Sequence, residues 1–90
     1  MSPIALKVLS SAYDSYQKNR DFYVSIQPKN PSEWYDTVIG ARQLAQSGYI
    51  DEVSDFVLSS PISADITIPI TFNITELGIE YMRGKGEADH

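Results

Sequence analysis

Residues 66–82 change their hydrophobic period part-way along. Every second residue from Ile66 to Ile74 is apolar, which is the period of a strand with one buried face. From Leu77 onward the apolar residues fall at helical spacing, which predicts a short helix over 76–83 directly after the strand. The sheet and this helix must therefore share one core. The helix residues that we expect near it are Leu77 with Tyr81, and Ile79 with either Met82 or Arg83.

A chain of 90 residues, 42% of them apolar, can build one domain with a single modest core. It has no cysteine, which excludes disulfide scaffolds, thiolate zinc sites and cysteine nucleophiles. No apolar run approaches the roughly 20 residues that span a bilayer, and the N-terminus lacks the features of a signal peptide. We expect a cytoplasmic protein whose domain covers residues 1–83, followed by a disordered tail over 84–90.

The first helix is predicted over residues 3–18. Ser2 can cap it, and Pro3 suits the first helical position because its ring fixes a helical φ. Its apolar residues recur three and four apart, as on one face of a helix. They are Ala5, Val8, Leu9, Ala12 and Tyr16.

A second helix is predicted over residues 32–47, with Ser32 as its cap and Gly48 as the left-handed residue just past its end. The inward face is expected to carry Trp34, Val38, Ala41 and Ala45, with Tyr35, Ile39 and Leu44 beside them. The outward face is expected to carry Glu33, Thr37, Gly40, Gln43 and Ser47.

Three short strands complete the prediction. Residues 22–27 alternate apolar and polar side chains, and Pro28 and Pro31 end the run, which indicates an edge strand or merely an extended segment. A strand near 55–59 is expected to form a hairpin with 66–74. Pro69 has no N–H to donate, so its side of the strand is expected to be an edge.

Two phrases of the sequence resemble the winged-helix family of helix-turn-helix domains. "ARQLAQSGYI", residues 41–50, is similar to the end of a recognition helix and the turn into the wing, and "FNITELGIEYM", residues 72–82, is similar to the exit from the wing into the last helix. The family's separate short helix before the recognition helix is either reduced here to a turn around "PKNPSEW" or absorbed into residues 32–47.

The resemblance implies an α+β, winged-helix-like fold. It has three main helices and a small antiparallel sheet made of a β-hairpin wing and a short edge strand. The resemblance also implies a small DNA-binding transcriptional regulator, or a phage accessory factor, of bacterial or phage origin.

In that reading residues 32–47 lie in the major groove of DNA. Thr37, Gln43 and Ser47 would then face base edges. Arg42 and Lys29, with Arg20 as a further candidate, would contact phosphates. The alternative is that these residues form only the solvated face of an amphipathic helix.

The distribution of charge opposes DNA binding. Residues 1–50 carry five basic and four acidic residues, a formal charge of +1, whereas residues 51–90 carry two basic and eight acidic residues, a formal charge of −6. The predicted hairpin over 51–66 contains four acidic residues and neither Lys nor Arg. A DNA backbone would repel such a hairpin.

The alternative function is therefore an acidic module that binds a protein partner or its own copy without binding DNA. An apolar hairpin with an edge strand offers a surface for pairing with another chain. The candidate interface residues are Trp34, Tyr35, Val57 and Ile62.

Enzyme functions have little support in the sequence. His90 is the single histidine and lies in the predicted tail, so neither a histidine-based triad nor a histidine metal cluster can form within one chain. No glycine-rich phosphate motif is present. We therefore expect a non-enzymatic protein with no cofactor, no metal and no small-molecule substrate.

Overall fold

The computed structural model describes residues 1–54 and 66–88, and in that part of the chain it is an α+β fold of three helices and a three-stranded antiparallel sheet. In chain order the elements are α1 Pro3–Asn19, β1 Tyr23–Ile26, α2 Pro31–Ser47, β2 Ile50–Asp51, β3 Ile70–Ile74 and α3 Glu76–Ala88.

Helix α1 begins as predicted. The Oγ atom of Ser2 accepts a hydrogen bond from the amide of Ala5 at 3.1 Å, and Pro3 occupies the first helical turn. The helix ends at Asn19, because Arg20 adopts a left-handed conformation with φ of 55°. Its amide then donates to the carbonyl of Tyr16 at 2.8 Å.

Helix α2 begins earlier than predicted, and the residue that caps it is Asn30 instead of Ser32. The Oδ1 atom of Asn30 accepts from the amide of Glu33 at 2.8 Å. Pro31 then occupies the first helical turn, where its fixed φ fits and its missing N–H costs nothing. Residues 27–30 join β1 to this helix without a helix between them. At the other end Gly48 is left-handed, with φ of 83°, as predicted.

The sheet order is β1-β3-β2, with both pairs antiparallel. β1 is an edge strand, as predicted. β3 begins at Ile70, shorter than the predicted 66–74, and lies in the centre of the sheet. The expectation that Pro69 marks an edge of this strand is wrong, because the proline precedes the ladder and so removes none of its hydrogen bonds. The strand expected near 55–59 lies outside the described residues.

The core lies between α1, α2, α3 and one face of the sheet. Every second residue of β3 faces it, which confirms the alternation seen in the sequence. Its largest fully buried side chains are Phe72, Leu9, Leu44, Ile50, Ile70, Ile74 and Val38.

The buried sector of α2 is wider than one amphipathic stripe, because the helix packs against α1 as well as β2. Thr37 and Gly40, both predicted to face outward, are buried. A Cβ atom on Gly40 would lie 3.0 Å from the carbonyl oxygen of Ile4 and 2.7 Å from Cγ2 of Val8, so α1 crosses α2 at this glycine. Tyr35 and Ile39, predicted beside the inward face, are exposed.

Helix α3 ends at Ala88, five residues beyond the predicted end. Ile79 is buried and Tyr81 and Met82 pack against the core, as predicted, but Leu77 is half exposed. The helix therefore occupies much of the segment for which a disordered tail was expected, and residues 89–90 of that segment lie outside the described residues.

The two phrases singled out in the sequence contact each other. Thr75 caps α3, because its Oγ1 accepts from the amide of Gly78 at 3.2 Å. The same Oγ1 donates to the carbonyl of Gly48 at 2.7 Å, and the amide of Thr75 donates to the carbonyl of Tyr49 at 3.1 Å. The start of α3 is thus fixed directly to the turn that ends α2.

Candidate interaction surface

The outward face of α2 carries residues at positions 35, 39, 42 and 46, which follow one another at helical spacing. Tyr35 and Ile39 are 42% and 43% exposed, Gln46 is exposed, and Arg42 is half-buried. Two large apolar side chains therefore stand one turn apart on this surface. We call these four residues the α2 outer face.

Thr37 does not belong to this face. Only 7% of its surface is exposed, and its hydroxyl donates to the carbonyl of Glu33 at 2.7 Å, within its own helix. The side chain lines a groove of about 290 Å³ between α1 and α2. A base edge presented to the α2 outer face would not reach the Thr37 hydroxyl, because the side chain is buried beside the groove between α1 and α2.

The other predicted nucleic-acid contacts lie at the surface in separate settings. Gln43 is exposed, but its Oε1 accepts a hydrogen bond from the hydroxyl of Ser2, so the amide is tied to the start of α1. Ser47 is exposed in the last turn of α2, and Lys29 is exposed in the loop before the helix. Arg42 is half-buried and belongs to the α2 outer face.

The charges along α2 oppose a phosphate backbone at its N-terminal half. Glu33 and Asp36 lie there, and the one basic residue of the helix, Arg42, lies more than a turn further along. A carboxylate about 4 Å from a phosphate costs about 1 kcal/mol even in bulk water. The residues of a recognition helix that approach base edges lie near its N-terminus, which is where α2 is acidic.

The four residues predicted to form a protein interface do not lie on one surface. Tyr35 lies on the α2 outer face, whereas Trp34 is only 2% exposed and belongs to the core. The two rings meet edge-on with centroids 5.1 Å apart, so the buried indole fixes the orientation of the exposed phenol. Val57 and Ile62 lie outside the described residues.

Sequence reasoning missed Ile39 as a surface residue. A signal was present, because Ile39 follows Tyr35 by one turn and lies on the other side of the helix from Thr37.

Residues 1–54 and 66–88 contain no helix that is long and apolar enough to cross a membrane. Within the same two ranges, no three His, Cys, Asp or Glu side chains are grouped so that they could hold a metal ion.

Comparisons with protein-family models, curated proteins and solved structures found no match to this chain.

Proposed function

We propose that this chain is a small winged-helix-like domain that acts as a protein interaction module, with the α2 outer face as its contact surface. The proposal is supported by the element order, by the similarity of residues 41–50 and 72–82 to that family, and by the contact between these two phrases.

One observation carries the choice of a protein partner. The α2 outer face exposes Tyr35 and Ile39, whereas Thr37, the residue expected to face a base edge, is buried and bonded within its own helix. Aromatic and aliphatic side chains at the centre of an exposed surface are typical of protein interfaces. Their burial by a partner would be favourable by about 25 cal/mol per Å² of apolar surface.

The experiment is size-exclusion chromatography of the tagged chain from cells that contain its partners, compared with the purified chain. We expect the chain to elute from the lysate in a complex larger than 10.1 kDa. Ile39→Asp should return it to the position of the purified protein, because a carboxylate cannot be buried in an apolar contact.

The matched control is Ile68→Asp, since Ile68 is 44% exposed but lies outside α2. This variant should keep the complex. Elution of the wild-type chain at the same position in lysate and in pure form would refute the proposal, as would equal loss of the complex in both variants.

The second candidate is a DNA-binding regulator, which the resemblance to the winged-helix family and the exposed Lys29, Gln43 and Ser47 favour. Fluorescence anisotropy with mixed duplex DNA at 50 mM salt tests it. A DNA reader would bind, weaken linearly in a log–log plot against salt, and lose affinity when Lys29 and Arg42 are replaced by Glu. The interaction module predicts no saturable binding under these conditions.

A further inference from the structure

Phe22 occupies an unusual position for a large apolar residue. The alternation of the strand places it on the same face as Val24, which is buried, but 44% of the surface of Phe22 is exposed. Its backbone is held in the sheet, because its carbonyl accepts from the amide of Ile74 at 2.9 Å. Its ring stacks on Tyr16 with centroids 5.5 Å apart and an angle of 21° between the planes.

Phe22 lines two grooves. One, of about 310 Å³, lies between α1 and α3 and is lined by Tyr16, Phe22, Glu76, Ile79, Glu80 and Arg83. The other, of about 260 Å³, lies at the end of the sheet and is lined by Phe22, Asp51, Asn73, Ile74, Thr75 and Glu76. Phe22 and Glu76 line both grooves, so the two form one continuous surface, which we call the Phe22 surface.

The charge of this surface selects its ligand. Three carboxylates, of Glu76, Glu80 and Asp51, line the two grooves against one guanidinium, of Arg83, which leaves a formal charge of −2. Glu76 and Glu80 are exposed and four residues apart on α3, where like charges repel each other. A bound cation would relieve this repulsion and would face an exposed aromatic ring at the same time.

We propose that the Phe22 surface binds an arginine-bearing segment of a partner protein. The guanidinium plane stacks on the exposed ring of Phe22, as such planes do on aromatic faces, and its N–H groups donate to the carboxylate of Glu76. Further basic residues of the segment lie along Asp51 and Glu80. A nucleic acid would be repelled by these carboxylates, so a basic peptide is the polymer that complements the charge.

This surface is separate from the α2 outer face, and the proposal does not depend on the function proposed for that face.

The experiment uses a fluorescein-labelled, capped peptide of four Gly-Arg repeats as the probe and a peptide of four Gly-Lys repeats as its counterpart. Binding of each is measured by anisotropy titration at 50 mM salt. We expect the arginine peptide to bind more tightly, because Lys presents a compact, strongly hydrated charge instead of a stacking plane.

Four variants locate the binding. Phe22→Ala and Glu76→Gln should each weaken the arginine peptide about twofold to fivefold, the size of an exposed cation–π contact or an exposed ion pair. Ile68→Ala, which truncates an equally exposed apolar side chain, and Asp14→Asn, which removes one exposed charge on α1, should change affinity by less than the error.

Circular dichroism of each variant checks that the fold is intact. If Phe22→Ala unfolds, Phe22→Leu keeps an apolar side chain and should still abolish the preference for arginine over lysine. Three results would overturn the assignment. They are no binding at 50 mM salt, equal weakening by Asp14→Asn and Glu76→Gln, and self-association that depends on Phe22, since a second copy would then occupy the surface. The Ile39→Asp test of the α2 outer face is unaffected by any of them.

Discussion

Replacement of Gly78 by alanine tests the junction between α2 and α3 most sharply. A Cβ atom at this position would lie 2.4 Å from the carbonyl oxygen of Tyr49, 3.3 Å from its carbonyl carbon and 3.1 Å from Cγ1 of Ile74. The first of these atoms is backbone, so no side-chain rotation relieves the clash. Either α3 or the turn after Gly48 must move.

The magnitude follows from three effects. Overpacking of a well-packed site costs about 1–3 kcal/mol. The movement also weakens the hydrogen bond from the amide of Thr75 to the carbonyl of Tyr49, 3.1 Å long, which contributes about 1 kcal/mol. Alanine then regains about 1 kcal/mol of helix propensity relative to glycine. The net expectation is a destabilisation of about 1–3 kcal/mol.

The assay is thermal unfolding followed by circular dichroism, with Gly84→Ala as the matched control. In a domain of this size about 1 kcal/mol shifts the Tm by roughly 4–8 °C, so Gly78→Ala should lower the Tm by about 8–16 °C for a 2 kcal/mol loss. Gly84 lies in the same helix with no atom within 4 Å of an added Cβ. Gly84→Ala should therefore raise the Tm by about 4–8 °C. An unchanged or raised Tm for Gly78→Ala would refute the close approach of the two phrases.

Four further substitutions test the fold by the same melting assay. Thr75→Val keeps the shape of the side chain but loses both hydrogen bonds of its hydroxyl, and should cost about 1–2 kcal/mol; a Tm equal to that of wild type would show that the cap of α3 is dispensable. Asn30→Ala should cost about 1 kcal/mol whereas Ser32→Ala should stay within about 0.5 kcal/mol, and the reverse ranking would restore Ser32 as the cap of α2. Gly40→Ala should cost about 0–2 kcal/mol, because its Cβ meets backbone of α1 at 3.0 Å, an overpacking cost of about 1–3 kcal/mol, while alanine regains about 1 kcal/mol of helix propensity; a stabilised variant would contradict the close crossing of α1 and α2.

Local signals in the sequence were sufficient to predict most of the helices and strands. Ser2 followed by Pro3, and Gly48 after the last apolar turn of α2, act through contacts within a few residues, so their patterns predict the ends of the helices directly. The error at the start of α2 was also local. "NPS" offers two capping residues, and Asn30 is used because Pro31 then falls in the first helical turn.

The exposed faces could not be predicted in the same way, because they depend on how the elements pack. Thr37 and Gly40 are polar or small, which is typical of an outward face, yet α1 crosses α2 there and buries both. Tyr35 and Ile39 are apolar, which is typical of an inward face, yet no described element covers them fully. The hydrophobic period locates the apolar stripe of a helix, but the neighbouring elements decide which of its other side chains are buried.

The Phe22 surface could not be predicted from the sequence either, because it also depends on how the elements pack. Phe22, Asp51 and the pair Glu76 and Glu80 lie far apart in the sequence, and neither a motif nor a composition bias joins them. The antiparallel pairing of β1 and β2 with β3, and the turn of Thr75 into α3, bring them to one end of the sheet. Such a juxtaposition becomes visible only when the register of the sheet is known.

Site-specific photocrosslinking tests the central claim most directly, since it identifies what touches the α2 outer face in the cell. One variant carries benzoylphenylalanine in place of Ile39. A control variant carries it in place of Lys18, which is exposed on α1. The crosslinked adducts are then digested with nuclease or with protease. The account predicts an adduct of defined mass from position 39 alone that protease removes and nuclease does not. An adduct from position 39 that nuclease removes would contradict the account, because nucleic acid would then occupy the face assigned here to protein.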